Sequence, residues 1–320
     1  MKRLDMPFVG IPSFLRAPIP SQIAGIDADI AVMGVPFDEG VPFMPGSRFG
    51  PRSIREHSLR FAGDGSSGYY NPETDKQYLA HELQNSRLVD VGDADILPTN
   101  VEGTFDNITA MTREILDEGV FPVVLGGDHS ITYPVVRAFD TPLHVIHFDA
   151  HLDYAPFIHD LRFTNGHAFR HLSPMEHVLS LTQVGIRSLR NTREMMEDSI
   201  GDGNHVVNMT TFHDIGPTSV PAKVPEGAPC YVSIDIDVLD LPLVPGCVSA
   251  EPNGMTYAEL RDSLIAIAER TEIIGFDFVE VNPQLDVGTG VTSYLGAHTV
   301  IEFLGTICEQ PWWHTRRKSL

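Results

Sequence analysis

Three short apolar runs in this 320-residue chain each collapse abruptly into aspartate and histidine, and that recurrence constrains the fold more than any other feature. Val123 to Leu125 runs into Gly126-Gly-Asp-His129, Leu143 to Ile146 into His147-Phe-Asp-Ala-His-Leu-Asp153, and Tyr231-Val-Ser-Ile into Asp235-Ile-Asp237. Runs of that length bounded by turn residues read as strands buried on both faces. In open parallel sheets, functional groups gather just past the carboxyl ends of strands, where these polar residues lie. If extended geometry continues through the second motif, Asp149, His151 and Asp153 share a face while Phe148, Ala150 and Leu152 point away. Asp235 and Asp237 repeat the pattern.

Four carboxylates and two imidazoles, His129 and His151, then converge. Carboxylates crowded in a low-dielectric pocket repel one another and shift upward in pKa unless cations neutralise them, and two divalent ions balance the charge. Oxygen and nitrogen donors without sulfur suit Mn, Ni, Co, Fe or Zn rather than Ca. The rival reading, in which Asp and His merely cap turns at strand ends, has to be invoked three times over.

Gly126-Gly-Asp-His-Ser130, Asp149-Ala-His-Leu-Asp153 and Ser233-Ile-Asp-Ile-Asp-Val-Leu-Asp240 resemble the three signatures of the ureohydrolase family, the arginases and agmatinases. Gly46-Ser-Arg-Phe-Gly-Pro-Arg-Ser-Ile-Arg55 and Val279-Glu-Val-Asn-Pro283 extend the resemblance, in family order, over residues 46 to 283. It implies an arginase-like three-layer α/β/α sandwich on an eight-stranded, mostly parallel sheet. It also implies two divalent metal ions, Mn or Ni, and hydrolysis of a guanidino group to urea and an amine, with agmatine as the default substrate. On the same ground Asp149 and Asp235 bridge the ions, His129 and Asp153 complete one, His151 and Asp237 complete the other, and Glu280 grips the substrate guanidinium. Glu280 follows a buried run directly; its rival role is an ion-pair partner for an arginine. Asp128 is expected to orient His129 from behind.

A guanidinium is a poor electrophile, so its hydrolysis needs a strong nucleophile at neutral pH, which two divalent ions about 3.5 to 4 Å apart can generate from water. Two departures from the family bear on substrate. Where the family shows His-Gly-Thr-x-Phe-Arg, with the His as proton shuttle, this chain has Asn165-Gly-His-Ala-Phe-Arg170, and Asn cannot shuttle a proton. Either His167 takes the role, or solvent or another group such as His159 does; His167 reads equally as a packed histidine. Where the family shows Gly-Thr-Gly-Thr-Pro, this chain has Pro245-Gly-Cys-Val-Ser-Ala250, and Ser249 keeps the hydroxyl of the second Thr. Guanidino acids, guanidine and biguanides are therefore rival substrates. A catalytically weak subunit of a mixed oligomer is the rival from another class.

Composition narrows the setting. The chain is 42% hydrophobic, enough for one extensive core, and shows no repeat or composition break, so 1–320 reads as one domain with 1–28 as a proline-rich irregular arm. A formal net charge of -21 argues against nucleic acid and anionic membrane as partners. Cys230, Cys247 and Cys308 have no C-x-x-C spacing, which points away from a disulfide framework or thiolate zinc site and towards the cytoplasm. Met1-Lys-Arg-Leu-Asp5 lacks an apolar signal core and Arg316–Leu320 reads as a solvated tail. The family implies a homo-oligomer, a trimer or hexamer.

Along the chain, further strands read at Asp29–Val35, Leu88–Asp93, Leu179–Ile186, His205–Met209 and Glu272–Val279, alternating with helices. Helix is expected from Pro51, between a Thr104 cap and Gly119, around Thr192–Asp198, and after the capping box Thr256-Tyr-Ala-Glu259. Arg48, Arg52 and Arg55 either bind an anion or brace acidic neighbours. Residues 63 to 78 and 154 to 167 read as loops lining the pocket.

Overall fold

The computed structural model describes residues 6, 9–61 and 68–316. The extreme N-terminus, the first part of the 63–78 loop and the tail from Arg317 to Leu320 lie outside the described residues. Among the described residues there are ten strands: β1 (Ile30–Val35), β2 (Tyr69–Asn71), β3 (Lys76–Tyr78), β4 (Leu88–Asp93), β5 (Phe121–Gly126), β6 (Leu143–Phe148), β7 (Val178–Ile186), β8 (His205–Asn208), β9 (Pro229–Asp235) and β10 (Glu272–Val279). Eight form one sheet in the order β4-β1-β5-β10-β9-β6-β7-β8, with every pair parallel.

Each central strand is an apolar run because both its faces are covered. Side chains alternate between two cores. Val32, Val123, Leu125, Ile146 and Phe148 pack with the helices Tyr257–Arg270 and Val291–Cys308 on one face. Met33, Val35, Val124, Leu143 and Val145 pack with the helices Val101–Asp117 and Ala168–Leu172 on the other. That is the expected three-layer α/β/α sandwich.

The chain lays down β4, β1 and β5 on one side and β6, β7 and β8 on the other, then inserts β9 and β10 between them. The motif-bearing strands β5, β10, β9 and β6 become neighbours at the centre, where the change of direction opens a crevice at their carboxyl ends.

Several local expectations meet different physics. The helix Val101–Asp117 is capped by Asn100, whose side chain accepts from Gly103 N at 3.0 Å; Thr104 instead ties back to Leu97. The capping box at Thr256 and Glu259 forms as read. Residues 69–78 make the β2–β3 hairpin rather than a loop, and Asn71 donates to Glu302 at 2.7 Å, which docks the hairpin on the Val291–Cys308 helix and not on the crevice. The arm is anchored by Phe14 and Leu15, whose backbone amides donate to Asp90 Oδ2 at 2.7 Å and Ser58 Oγ at 2.9 Å. Arg55 grips Asp90 at 2.8 Å and Asp93 at 2.5 Å, and Arg48 pairs with Asp38, so these two arginines brace acidic neighbours while Arg52 is exposed.

Candidate metal centre

β5 ends at Gly126, and Gly127 passes so close to β1 that a Cβ there would sit 2.1 Å from Phe37 O. That approach turns the chain into a short helical turn starting at His129. Asp128 caps the turn, accepting from Ser130 N at 2.9 Å and from Gly40 N at 2.8 Å. It therefore fastens two loops together and does not hold the His129 ring as expected. β6 ends at Phe148, and Asp149 to Asp153 form an irregular loop in which Asp153 has a left-handed φ of 45°. The carboxylates meet by folding of this loop, not by strand alternation. Likewise Asp235 is the last residue of β9, while Asp237 lies in a tight turn whose amide Asp235 Oδ1 caps at 2.8 Å.

The outcome is two adjoining nests. His129 Nδ1 faces Asp149 Oδ2 at 3.0 Å, Asp153 Oδ2 at 3.1 Å and Asp235 Oδ2 at 3.2 Å. His151 Nδ1 faces Asp149 Oδ1 and Asp237 Oδ2, both at 3.1 Å. Asp149 thus gives one oxygen to each nest, the placement a bridging carboxylate needs. His129 Nδ1 and Asp237 Oδ2 are buried and make no hydrogen bond to a described residue. Buried polar atoms left in that state call for a partner the protein does not supply, so the donor set fits a pair of cations.

Charge behaves accordingly. Burial, Asp237 and Asp149 push the Asp235 carboxyl well up, and burial with Asp149 raises Asp153. Asp149 goes the other way: burial opposes its charge, but His129, His147 and His151 hold it well below the usual carboxylate range. Burial works against charge on both nest histidines too, yet the carboxylates win, lifting His129 well up and His151 to about 12.

A buried frame behind the nests was not legible in the motifs. Ser233 Oγ donates to Asp277 Oδ1 at 2.6 Å, which leaves its oxygen to accept from His129 Nε2 at 2.9 Å and so keeps the Nδ1 lone pair towards the nest. Thr132 and Tyr231 hold the other Asp277 oxygen at 2.9 and 2.8 Å. Gln183 Nε2 donates to His147 Nδ1 at 3.2 Å, turning His147 Nε2–H onto Asp149 Oδ2 at 2.8 Å. Arg187 donates to the carbonyls of Asp237 at 2.7 Å and Glu251 at 2.9 Å, stitching together the loops beyond β9. The signal for the first network was a single Asp inside the apolar run of β10.

Glu280 follows β10 with a left-handed φ of 67°. Its Oε1 accepts from His129 N at 3.0 Å and Asn165 Nδ2 at 3.2 Å, while Oε2 is buried without a partner. Burial and Asp128 push its carboxyl up to about 8, and a cation beside Oε2 would favour the charged form. Asn165, expected at the substrate, here positions Glu280. His167 lies apart: its Nδ1 pairs with Thr164 Oγ1 at 2.7 Å, its Nε2 meets Pro156 O at 3.4 Å, and its ring stacks on Phe157. Ser249 is buried with its Oγ 3.8 Å from Cys247 Sγ. Cys247 brings a sulfur into the cluster, its Sγ within 4.8 Å of Asp235 and Asp237 ligand atoms. At the mouth, Arg190 Nη2 lies 2.7 Å from His151 Nε2 and 3.1 Å from Glu251 Oε1.

The arginase-family model matches residues 28–305. This chain belongs to the arginase family. Proclavaminate amidinohydrolase of Streptomyces clavuligerus is 31% identical over 95% of this chain and 96% of its own. Its solved structure superposes with a TM-score of 0.83 at 30% identity, covering 94% of this chain and 98% of the other. Guanidinopropionase of Pseudomonas aeruginosa is 32% identical over 94% and 93% of the two chains, and agmatinase of Bacillus anthracis 33% over 81% and 86%. The arginase-family chain is accordingly an amidinohydrolase, acting on C–N bonds of linear amidines. The family works with a binuclear metal centre, and the two nests are the His/Asp clusters able to hold it. Among the described residues, no helix is long and apolar enough to cross a membrane.

Proposed function

We propose that this amidinohydrolase releases urea from a guanidino-carboxylic acid. The carrying observation is Arg190 beside the outer nest, the one around His151, with the His129 nest lying inside it: Glu251, His151 and Ser249 O engage its Nε and Nη2, and its Nη1 donates to no described residue. A guanidinium there attracts a substrate carboxylate and repels the ammonium tail of agmatine. The similarity to a guanidinopropionase supports the reading. Agmatine, the default from sequence, is the second reading, favoured by the similarity to an agmatinase.

In this reading His129, Asp149, Asp153 and Asp235 hold one divalent ion, Mn or Ni, and Asp149, His151, Asp235 and Asp237 hold the other. When bound, the ions supply Lewis acidity and a nucleophile drawn from water near neutral pH. Glu280 Oε2 receives the substrate guanidinium by charge-assisted pairing, with Oε1 fixed by Asn165 and the His129 amide. Water adds its oxygen to the guanidino carbon, the C–N bond breaks, and the leaving nitrogen takes up the protons that the water gives up and departs as a protonated amine. Asp153, at the rim of the inner nest, is placed to take a water proton. The chain is further proposed to form a homo-oligomer, supported by exposed Phe43, Met44, Phe157, Ile158 and Leu161 on loops at the site end, and to work in the cytoplasm, supported by the buried thiols of Cys230 and Cys247.

Urea release from 3-guanidinopropionate, 4-guanidinobutyrate and agmatine, with Mn or Ni loaded, tests the reading. The acids should be turned over faster, and Arg190→Ala should cost them about tenfold or more in kcat/KM while sparing agmatine. A preference for agmatine that Arg190→Ala leaves intact overturns the substrate assignment; no urea from any of the three overturns the activity.

A further inference from the structure

Cys247 sits on the loop beyond β9, and the loop is pinned from both sides. Gly246 N donates to Thr292 Oγ1 at 2.7 Å, Gly246 O accepts from Asn282 N at 2.7 Å, and Cys247 N donates to Val244 O at 3.1 Å. A Cβ on Gly246 would lie 2.9 Å from Asp286 and Thr292, so the backbone has no room to withdraw. This rigid segment delivers a thiol to the carboxylates: the ligand atoms of Asp235, Asp237 and Cys247 lie within 4.8 Å of one another and all three residues are buried. Ser249 Oγ lies 3.8 Å from the sulfur, a weak contact.

A second, independent observation points at an ion in the same place. Asp237 is fully buried, one of its oxygens accepts from Ala150 N at 3.0 Å, and the other, Oδ2, has no hydrogen-bond partner. That oxygen faces His151 Nδ1 at 3.1 Å, and the same residue, Asp237, belongs to the Cys247 cluster. We propose that Cys247 is a sulfur donor to the outer of the two ions, the one held by His151 and Asp237. The inference rests on the two-ion reading above. It goes beyond it, because a thiolate is a soft donor that shifts the preference of that nest from manganese towards nickel, cobalt or zinc. Binding replaces the thiol hydrogen by the metal, and the proton leaves to buffer.

X-ray absorption on the full-length protein loaded with zinc alone reads the donor set directly. A Zn–S distance at about 2.3 Å beside Zn–N and Zn–O distances at about 2.0–2.2 Å is the expected result. Cys247→Ser should abolish the sulfur shell while keeping two ions per chain, and should lower the zinc-over-manganese affinity ratio about tenfold. Cobalt-loaded protein should show sulfur-to-cobalt charge-transfer absorption that the variant lacks. Two zinc ions per chain with only nitrogen and oxygen neighbours overturn the proposal and leave the binuclear centre standing, as does a sulfur shell that persists in Cys247→Ser. Protein that takes up no ions overturns both. Should the variant not fold, the scattering of the unmodified chain decides alone.

Discussion

The two nests share Asp149 but are built differently. The inner one, around His129, is sealed: the side chain is 1% exposed, and behind it stand Ser233, Asp277, Thr132 and Tyr231, all on or beside central strands. The outer one, around His151, is 13% exposed and looks onto loop residues, namely Arg190, Glu251 and Cys247. Strands hold ligands to a fraction of an ångström because their positions are over-determined by packing, whereas loops can change residue without disturbing the core. The inner nest therefore stands on packed strands, and the outer nest borders loop residues that can vary without disturbing them.

Acidity separates ion from proton most strongly. With both nest imidazoles raised in pKa, each carries a proton at neutral pH in the ion-free protein, and ion binding must expel it. Lowering the pH restores those protons and weakens binding, by up to about tenfold per pH unit for each proton displaced, while Asp149 stays charged throughout. Calorimetry in buffers of different ionisation enthalpy should show net proton release as the two ions bind; affinity that is flat between pH 6 and 8, on the order of two units, contradicts the nests as drawn. Ser233→Ala sharpens the comparison: it removes the oxygen holding His129 and should weaken the inner ion by about 10–100-fold, leaving the outer one unchanged. Equal weakening of both would mean that the nests are not separately supported. The smallest effect belongs to His167→Ala. A histidine tied to Thr164 and stacked on Phe157 should lose less than tenfold in kcat, below the roughly 10²-fold expected of a general acid or base.

The ligands were legible because aspartate and histidine have no reason to recur after apolar strands unless something holds their charge. How they converge was not. Strand alternation would have served Asp149, His151 and Asp153, but the chain leaves extended geometry at Phe148 and the left-handed turn at Asp153 brings its carboxylate back. The Ser233–Asp277 pair was hidden for a different reason. These residues are register partners across β9 and β10, strands adjacent in space but separated by a helix in sequence, and spacing along one chain carries no record of which strands pair. Spacing alone leaves Cys247 outside any thiolate site because no second cysteine accompanies it; its neighbours are the carboxylates of Asp235 and Asp237. The hairpin at 69–78 was obscured by loop-type composition, since each of its strands is only three residues long.

Anomalous diffraction from crystals of protein loaded with manganese or nickel tests the central claim most directly. The account predicts two peaks per chain, one among His129, Asp149, Asp153 and Asp235 and one among Asp149, His151, Asp235 and Asp237, both within bonding distance of Asp149. A metal-replete crystal with no peak between these side chains, or with its ions bound elsewhere, would contradict it.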